Sequence, residues 1–487
     1  MKKIKERCVF AVFWAAVISA LYIFIIMRPF GSMDELWIFN MGLNVSRGLA
    51  PYSEVTMITP PLSHMLSAAF IKIFGEELLS IRLLALIISS ADCLLIYSVL
   101  RQAEINKSFS LIIAGACCAF FGSVFTYDYN FLILTLSLAA VLFKLKAVKS
   151  GSSGFVVASS IFSAVTLLCK QSVGAAFWIC MLICDVLVFR DHKKKMLLID
   201  LSCAFVCGAL LLIYLISAGN LADFVRYCIT GIGEFDNRIS VFRFMLGSAD
   251  GFFVCVYSAS ALFFAAVRTV KAVKNGAVRE NAGTVILLCS SAGLLSAAYP
   301  IADLSHSAIF FAHVILLSCI LLRRKIKGMD MRGKNVGIVL MGLICVCGSA
   351  AVTLDTDLVK CSIKHYSGVP ISRSVRTQIE TVSGYIGESG KKTAILDAYA
   401  AVYLIPLDIY NKDLDMFLKG NVGGKASEVL SEHIDGYDTV LVLRDTSRHN
   451  WQFPKGTERI VLEKGEKQEE ILNYDVYTIH HEREDAL

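Results

Sequence analysis

Long apolar segments alternate with short polar segments from the start of the chain to about residue 355. Most apolar segments hold roughly twenty residues, the length that crosses a bilayer as an α-helix. The segment 62–74 is apolar but shorter, so it predicts a helix lying along the membrane interface. The other segments predict about eleven membrane spans, at residues 9–27, 82–100, 109–125, 131–143, 155–169, 173–189, 196–217, 252–270, 284–299, 307–322 and 336–354.

The rest of the chain has a different pattern, with mixed charges and short apolar runs. Residues 393–397 and 437–443 predict buried strands, because each is short, apolar and rich in strand-forming residues. Residues 374–386 and 426–434 predict helices. No glycine-rich phosphate loop follows either predicted strand, so the tail does not indicate a nucleotide site.

These two patterns predict two domains. Residues 1–355 would form a membrane domain, with a first outer loop at residues 28–81. Residues 356–487 would form a small α/β domain, for which about 130 residues suffice. The expected fold class is a polytopic α-helical membrane protein with a C-terminal α/β domain outside the membrane.

Composition supports a membrane protein. Of the 487 residues, 56% are hydrophobic and 18% are charged, which is too apolar for a soluble globular chain. The net charge of +6 does not indicate nucleic-acid binding, because the basic residues lie in short loops between apolar runs. Most of the 16 cysteines lie inside apolar runs, where a thiol acts as a small hydrophobic group.

The basic loops predict the orientation of the chain. Lys and Arg gather in alternate loops, about 23 of them, whereas the opposite loops hold about eight, and basic loops stay in the cytoplasm. The N-terminus is therefore expected inside the cell and the α/β domain outside it. The basic clusters lie at residues 2–7, 101–107, 144–149, 190–195, 268–279 and 323–334.

Most of the polar residues near the predicted spans fall at the outer ends. Ionisable groups at membrane depth tend to line a cavity or to pair with one another. We therefore expect these side chains to converge on one outer site. They are Asp34, Glu35, His64, Arg82, Tyr127, Asp128, Asn130, Lys170, Gln171, Asp303 and His306.

The first outer loop carries an ordered set of motifs over roughly fifty residues. It resembles the first outer loop of the GT-C class of membrane glycosyltransferases, in the bacterial branch related to protein O-mannosyltransferases and the aminoarabinose transferase of lipid A. One position departs from that branch, since Thr59 stands where a Lys often precedes the Pro-Pro pair. The matching residues are Asp34-Glu35, Gly48, Pro51-Tyr52, Pro60-Pro61, Phe74-Gly75 and Arg82.

The resemblance implies transfer of a sugar from a polyprenyl-phosphate donor, with inversion at the anomeric carbon. Asp34 matches the family's carboxylate after the first span and would act as the general base. Glu35 is the second candidate for the base, or would instead hold the acceptor. Lys170, Arg82 and His306 are the candidates for binding the donor phosphate, because cations stabilise the departing anion.

The remaining outer residues would bind substrate. These are Tyr127, Asp128, Gln171 and Asp303. The acceptor would be a glycan, lipid or protein of the cell envelope, and membrane lipid would surround the spans. The scheme requires no nucleotide, no metal and no other cofactor, and nucleic acid is not an expected partner.

Several of these residues have a structural alternative. Lys170 could extend its ammonium group to the interface, and Arg82 could anchor a span there. Asp303 could be a helix N-cap, and Asp128 could belong to a turn. His64 favours a structural role. Trp451 could stack on a sugar, although a Trp beside a Pro more often packs locally.

Two other classes of function are compatible with a polytopic chain. A lipid-linked-sugar transporter would carry broken helices and polar groups near the membrane midplane, and only Asp92 and Asp185 fall deep within predicted spans. An assembly protein without catalytic activity would need no carboxylate at position 34. The presence of Asp34 favours the enzyme.

Overall fold

The computed structural model of the chain describes residues 2–31, 33–122, 124–234, 239–328, 334–352, 357–444 and 454–481. Trp451 and the predicted domain boundary at residues 355 and 356 lie outside these ranges. The chain divides into two compact units. The helical unit comprises Met1–Arg28, Arg82–Leu212 and Arg238–Asp355, and the α/β unit comprises Pro29–Ile81, Ile213–Asn237 and Thr356–Leu487.

Helices account for nearly all of the regular structure up to residue 352. In chain order they are α1 (Lys2–Ile25), α2 (Met33–Ser46), α3 (Leu62–Phe74), α4 (Leu78–Gln102), α5 (Lys107–Phe121), α6 (Tyr129–Ser150), α7 (Ser153–Val165), α8 (Gln171–Val188), α9 (Lys193–Ser217), α10 (Leu221–Val225), α11 (Val241–Gly247), α12 (Ala249–Lys274), α13 (Ala282–Leu294), α14 (Leu304–Leu321), α15 (Arg323–Gly328) and α16 (Lys334–Val352).

The tail alternates strands and helices. Its elements are β1 (Leu358–Lys360), β2 (Pro370–Ser372), α17 (Arg373–Ser389), β3 (Thr393–Leu396), α18 (Ala400–Leu404), α19 (Ala426–His433), β4 (Thr439–Leu443), α20 (Thr457–Lys464), β5 (Gly465–Ile471) and β6 (Tyr474–Ile479).

Each predicted span coincides with a helix, and the predicted fold class is confirmed. Among the described residues, seven helical segments are long and apolar enough to cross a membrane. Four further apolar helices are shorter, and one of them is α3, the predicted interfacial helix. The number of spans therefore stays a prediction. The seven segments are Cys8–Ile25, Leu78–Gln102, Tyr129–Ser150, Gln171–Val188, Arg190–Ser217, Ala249–Lys274 and Leu304–Leu321.

One predicted boundary is wrong. The span predicted to end at residue 143 continues as α6 to Ser150, so Lys144 lies inside a helix and not in a loop. Its side chain is fully buried and forms a salt bridge with the buried carboxylate of Asp185 on α8. The helix extends because the carboxylate of Asp185 compensates the ammonium charge, and a buried charge needs such a partner.

Small residues allow close helix packing in the helical unit. A Cβ atom added at Gly293 on α13 would lie 2.7 Å from the Cα of Phe177 on α8. The two helices therefore approach each other closely at a position that has no side chain. Such contacts drive helix association where no water is available to be expelled.

The α/β unit is built on a four-stranded sheet with the strand order β3-β4-β6-β5. Strands β3 and β4 are parallel, with Thr393 opposite Thr439, and the other two pairings are antiparallel. Both strands predicted from the sequence are confirmed as β3 and β4, and both predicted helices as α17 and α19. Strand β5 lies at the edge, and its exposed charged residues suit an edge strand.

Candidate functional site

Helix α2 carries both predicted catalytic carboxylates in its first turn. Asp34 is half-buried and Glu35 is buried, and the following turns of the helix are buried as well. Carboxylates at this end of a helix interact favourably with the helix dipole. Helix α2 therefore presents one partly accessible acid, Asp34, next to one inaccessible acid, Glu35.

Helix α3 fixes the position of α2. Gly42 packs so closely on α3 that a Cβ atom added there would lie 2.4 Å from the hydroxyl of Ser67. The rings of Trp37 and His64 meet edge to face at 6.2 Å between centroids. Any larger residue at position 42 would push α2 away, so this contact determines where Asp34 lies.

A buried amide also ties α2 to the tail of the chain. Asn40 Nδ2 donates a hydrogen bond to Asp415 Oδ2 at 2.8 Å, and Asn44 Nδ2 donates to the carbonyl of Asn40 at 2.8 Å. Burial and the nearby charge of Asp413 raise the pKa of Asp415 to about 7. These residues were not predicted from the sequence, although two Asn residues spaced by four in an apolar helix were a usable signal.

Tyr399 lies within the electrostatic range of Asp34 in the α/β unit. Burial raises the pKa of the Tyr399 hydroxyl, and the negative charges of Asp397 and Asp34 raise it further. A phenol between two carboxylates stays protonated at neutral pH and can donate a hydrogen bond. Tyr399 was not predicted from the sequence, because it lies in the tail, far along the chain from Asp34.

His64 has the properties of a structural residue. It is fully buried, and burial lowers its pKa to about 3, so the ring is neutral at physiological pH. Its Nε2 atom lies 2.9 Å from the hydroxyl of Thr59. Thr59 is itself buried, so the position that often holds a Lys in the aminoarabinose branch is here part of a neutral contact.

Lys170 precedes α8 in the helical unit, and Gln171 is the first residue of that helix. The Nζ atom of Lys170 lies 3.4 Å from Asn130 Oδ1 and 4.9 Å from the centroid of the Tyr129 ring. The structure therefore brings together the two turns that the sequence predicted to lie on the same side. A cation held beside a ring and an amide is oriented rather than free to extend.

The turn before α6 holds two further predicted substrate residues. Tyr127 is fully buried, and Asp128 is 4% exposed. Asp128 Oδ1 accepts a hydrogen bond from the backbone N–H of Phe131 at 2.8 Å, which makes it the N-cap of α6. A local structural role thus accounts for Asp128.

Arg82 is buried and bonds to backbone carbonyls. Its Nη1 atom donates to the carbonyl of Ile26 at 3.2 Å and to the carbonyl of Arg28 at 2.5 Å. These carbonyls follow the end of α1, where backbone acceptors have no partner within the helix. The contacts favour the anchoring alternative for Arg82, and its role in phosphate binding stays a prediction.

Asp303 and His306 form a pair at the start of α14. Asp303 Oδ1 accepts from the backbone N–H of His306 at 2.8 Å and lies 2.8 Å from its Nδ1 atom. Asp303 is therefore the N-cap of α14. Partial burial opposes ionisation of Asp303, but the contacts with His306 outweigh it and lower the pKa of the carboxyl.

The α/β unit also contains a group that could hold a metal ion. Ligand atoms of Glu76, His365 and Asp408 lie within 4.8 Å of one another. Arg47 Nη2 lies 2.5 Å from Glu76 Oε2 and 2.6 Å from Asp408 Oδ1, and Lys364 pairs with Asp408 as well. Side-chain cations already compensate both carboxylates. The cluster therefore joins the segment between α3 and α4 to the tail of the chain without needing a metal.

Comparison with known proteins relates this chain to membrane glycosyltransferases. The family model described as dolichyl-phosphate-mannose-protein mannosyltransferase matches residues 59–219, about a third of the chain. None of the curated proteins compared with the chain matches its sequence.

Solved structures match over nearly the whole chain. ArnT from Cupriavidus metallidurans in the apo state superposes with a TM-score of 0.63 at 11% identity, covering 97% of this chain and 98% of that chain. The same protein bound to undecaprenyl phosphate gives a TM-score of 0.56 at 13% identity, covering 96% of this chain and 97% of that chain. The resemblance of the predicted first outer loop, residues 28–81, to the GT-C class is thus confirmed at the level of the fold.

Proposed function

We propose that this chain, a multi-pass membrane protein with the fold of the GT-C glycosyltransferases, transfers a sugar from a polyprenyl-phosphate donor to an acceptor outside the cytoplasm. The observation that carries the proposal is the fold match to ArnT over nearly the full length of both chains. One of those ArnT structures holds undecaprenyl phosphate. A polyprenyl phosphate is the lipid that such a donor leaves after the sugar has been transferred.

In the proposed reaction, an acceptor hydroxyl attacks the anomeric carbon of the donor sugar. A new C–O bond forms, and the bond from that carbon to the phosphate oxygen breaks, with its electron pair passing to the phosphate. The acceptor proton moves to the carboxylate of Asp34, which acts as general base. One displacement inverts the anomeric configuration. The partial exposure of Asp34 and the burial of Glu35 support Asp34 as the base.

The departing phosphate needs positive charge. Lys170 is our first candidate, because its ammonium group is already oriented by Asn130 and Tyr129. His306 is the second, since its ring is oriented at the start of α14 by the contact of Nδ1 with Asp303 Oδ1 at 2.8 Å. Charge-assisted hydrogen bonds from such groups to phosphate oxygens stabilise the transition state. Arg82 is the weaker candidate because it already donates to carbonyls.

The proposed site lies on the outer face of the membrane, with the N-terminus of the chain in the cytoplasm. A cysteine at the exposed position Lys391 should react with a membrane-impermeant thiol reagent in intact cells, above the labelling of the unsubstituted chain. A cysteine at the exposed position His192 is the control and should react only after lysis. The reverse pattern would contradict the orientation.

Turnover of a defined donor tests the proposed function. The purified chain in lipid is given radiolabelled polyprenyl-phosphate sugars together with a cell-envelope extract as acceptor. We expect label to leave the lipid fraction for at least one sugar and to enter the acceptor with inverted configuration. Movement of the intact labelled lipid across the bilayer of sealed vesicles, without any loss of its sugar, would instead support a transporter.

A further inference from the structure

We propose that a cavity in the α/β unit binds a sugar residue of the acceptor, an inference that rests on the proposed glycosyl transfer. The cavity has a volume of about 440 Å³. This lies within the usual range for small-molecule sites, about 300–1,000 Å³. Its lining includes Phe30 and Gly31 from the first long loop, Gln378 from α17, and Asp397 and Tyr399 from the loop after β3.

The cavity lies where the parallel strands end. Asp397 follows the last residue of β3, and Leu443 is the last residue of β4. Tyr474 begins the antiparallel strand β6 and pairs with Leu443, so it lies at the same end of the strands. Ligands of α/β sheets commonly bind at the carboxyl ends of parallel strands, because the connecting loops diverge there and leave a crevice.

Asp397 supplies an unused hydrogen-bond acceptor. Its side chain is 4% exposed, and its Oδ2 atom accepts a hydrogen bond from the hydroxyl of Tyr474 at 2.5 Å. Among the residues that the structure describes, its Oδ1 atom has no hydrogen-bond partner. A buried acceptor without a donor is costly, so an O–H or N–H group of a ligand would be held strongly there.

The rest of the lining suits a carbohydrate. Four aromatic rings, those of Phe30, Tyr399, Tyr403 and Tyr474, offer apolar faces for the C–H groups of a sugar. The carboxamides of Gln378 and Asn473 offer both donors and acceptors for its hydroxyl groups. Among the described lining residues none carries a positive charge, so the cavity disfavours a phosphate or a carboxylate.

The position of the cavity assigns it to the acceptor. Tyr399 lines the cavity and lies close enough to both Asp397 and Asp34 for their charges to act on it. Leu36, two residues after Asp34 on α2, also lines the cavity, so a sugar bound here would lie near the proposed base. The donor phosphate would not bind here, because it needs cations and none of the described lining residues supplies one.

Glycoside binding tests the inference without any donor. The full chain in lipid nanodiscs is titrated with methyl β-D-glucopyranoside and, separately, with methyl β-D-glucuronide, and binding is followed by saturation-transfer NMR. We expect the neutral glycoside to bind at least tenfold more tightly than the anionic one. Asp397→Asn should weaken binding of the neutral glycoside about tenfold, which corresponds to about 1.4 kcal/mol.

Two further variants make the result specific. Gln378→Ala should fold, because alanine is a good helix former on α17. It should also weaken glycoside binding. It therefore tests the sugar site even if Asp397→Asn does not fold. Asp438→Asn is the matched control, because this carboxylate is about half exposed and precedes β4, at the end of the strands opposite to the cavity. It should bind the glycoside as the wild type does.

The inference is overturned if the wild type binds neither glycoside, if it binds the glucuronide as tightly as the glucoside, or if the Asp397 and Gln378 variants bind normally. Because no donor is present, the result is independent of turnover. Glycoside binding without turnover of any donor would count against the proposed function and leave the cavity as a sugar site. Turnover without glycoside binding would support the proposed function and count against the cavity as a sugar site.

Discussion

One buried carboxylate of the helical unit pairs with a cation, whereas two buried carboxylates of the α/β unit have neutral partners. In the helical unit, Asp185 pairs with Lys144, and both side chains are fully buried. In the α/β unit, Asp415 and Asp397 are equally inaccessible, but their described partners are neutral: the amide of Asn40 for Asp415 and the hydroxyl of Tyr474 for Asp397. The first arrangement places a cation beside the carboxylate, whereas the second provides only a neutral hydrogen-bond donor. Asp92 shows that the second arrangement also occurs in the helical unit, because its described partner is the hydroxyl of Thr135.

This difference in partners indicates which buried carboxylates stabilise the fold and which could bind a proton or a ligand. A carboxylate paired with a cation joins two helices, so we assign the pair of Lys144 and Asp185 to the assembly of the membrane helices. An uncompensated buried carboxylate either binds a proton more tightly or awaits a donor from a ligand. The raised pKa of Asp415 is an example of the first outcome. The unpaired oxygen of Asp397 is our example of the second.

Removing one partner of the membrane pair should have the largest effect on stability. Lys144→Met leaves Asp185 buried without its cation, and such a change typically costs about 3–5 kcal/mol. We expect a clear fall in the thermal unfolding midpoint in lipid. The double variant Lys144→Met/Asp185→Leu should recover most of the loss, because both charges are gone. Equal stability of Lys144→Met and the wild type would contradict the assignment of this pair to the assembly of the membrane helices.

The pH dependence of Asp415 sharpens the comparison. Its pKa of about 7 in the folded chain exceeds the ordinary value for Asp, about 3.9, so the folded state holds the proton more tightly. The contribution of Asp415 to the free energy of unfolding should therefore be greatest below about pH 4 and should fall as pH rises from about 4 to about 7, by up to about 1.4 kcal/mol per pH unit.

The matched variant for this prediction is Asp415→Asn, which keeps an acceptor for Asn40 and removes the titration. We expect its unfolding midpoint to change less than that of the wild type between pH 5 and pH 8. Asp435→Asn, at an exposed carboxylate, is the control and should keep the wild-type pH profile. A profile of Asp415→Asn identical to the wild type would refute the assignment.

The smallest predicted effect concerns the donor phosphate. Lys170→Met should weaken donor binding or slow transfer at least tenfold, or about 1.4 kcal/mol. His306→Gln keeps a hydrogen-bonding group but removes the imidazole ring, so it should also weaken donor binding or slow transfer. If both residues act on one phosphate, a double-mutant cycle should give less than additive losses. Full additivity, or normal donor binding by Lys170→Met, would return Lys170 to a structural role.

Much of the fold could be predicted from the sequence, because local patterns determine it. Each apolar run became a helix, and strands β3 and β4 appeared where short buried runs were expected. The boundary error at Lys144 has a tertiary cause, since its partner Asp185 lies 41 residues further along the chain. Charge alone placed Lys144 in a loop, and only the fold shows the compensating acid.

The candidate site was predictable only in part. Asp34 and Glu35 follow from an ordered motif near one span, but the neighbours of Asp34 come from the tail. The sequence predicts Asp397 as the last residue of a strand, and its partner Tyr474 lies 77 residues away. A carboxylate at the carboxyl end of a buried parallel strand was the available signal.

The central claim is that the carboxylate of Asp34 takes the acceptor proton, and Asp34→Asn tests it most directly. The variant keeps the size of the side chain at the start of α2, so it should insert into the membrane as the wild type does. With a donor that the wild type uses, we predict that transfer falls by a factor on the order of 10²–10⁴. Turnover by correctly inserted Asp34→Asn at the wild-type rate would contradict the account.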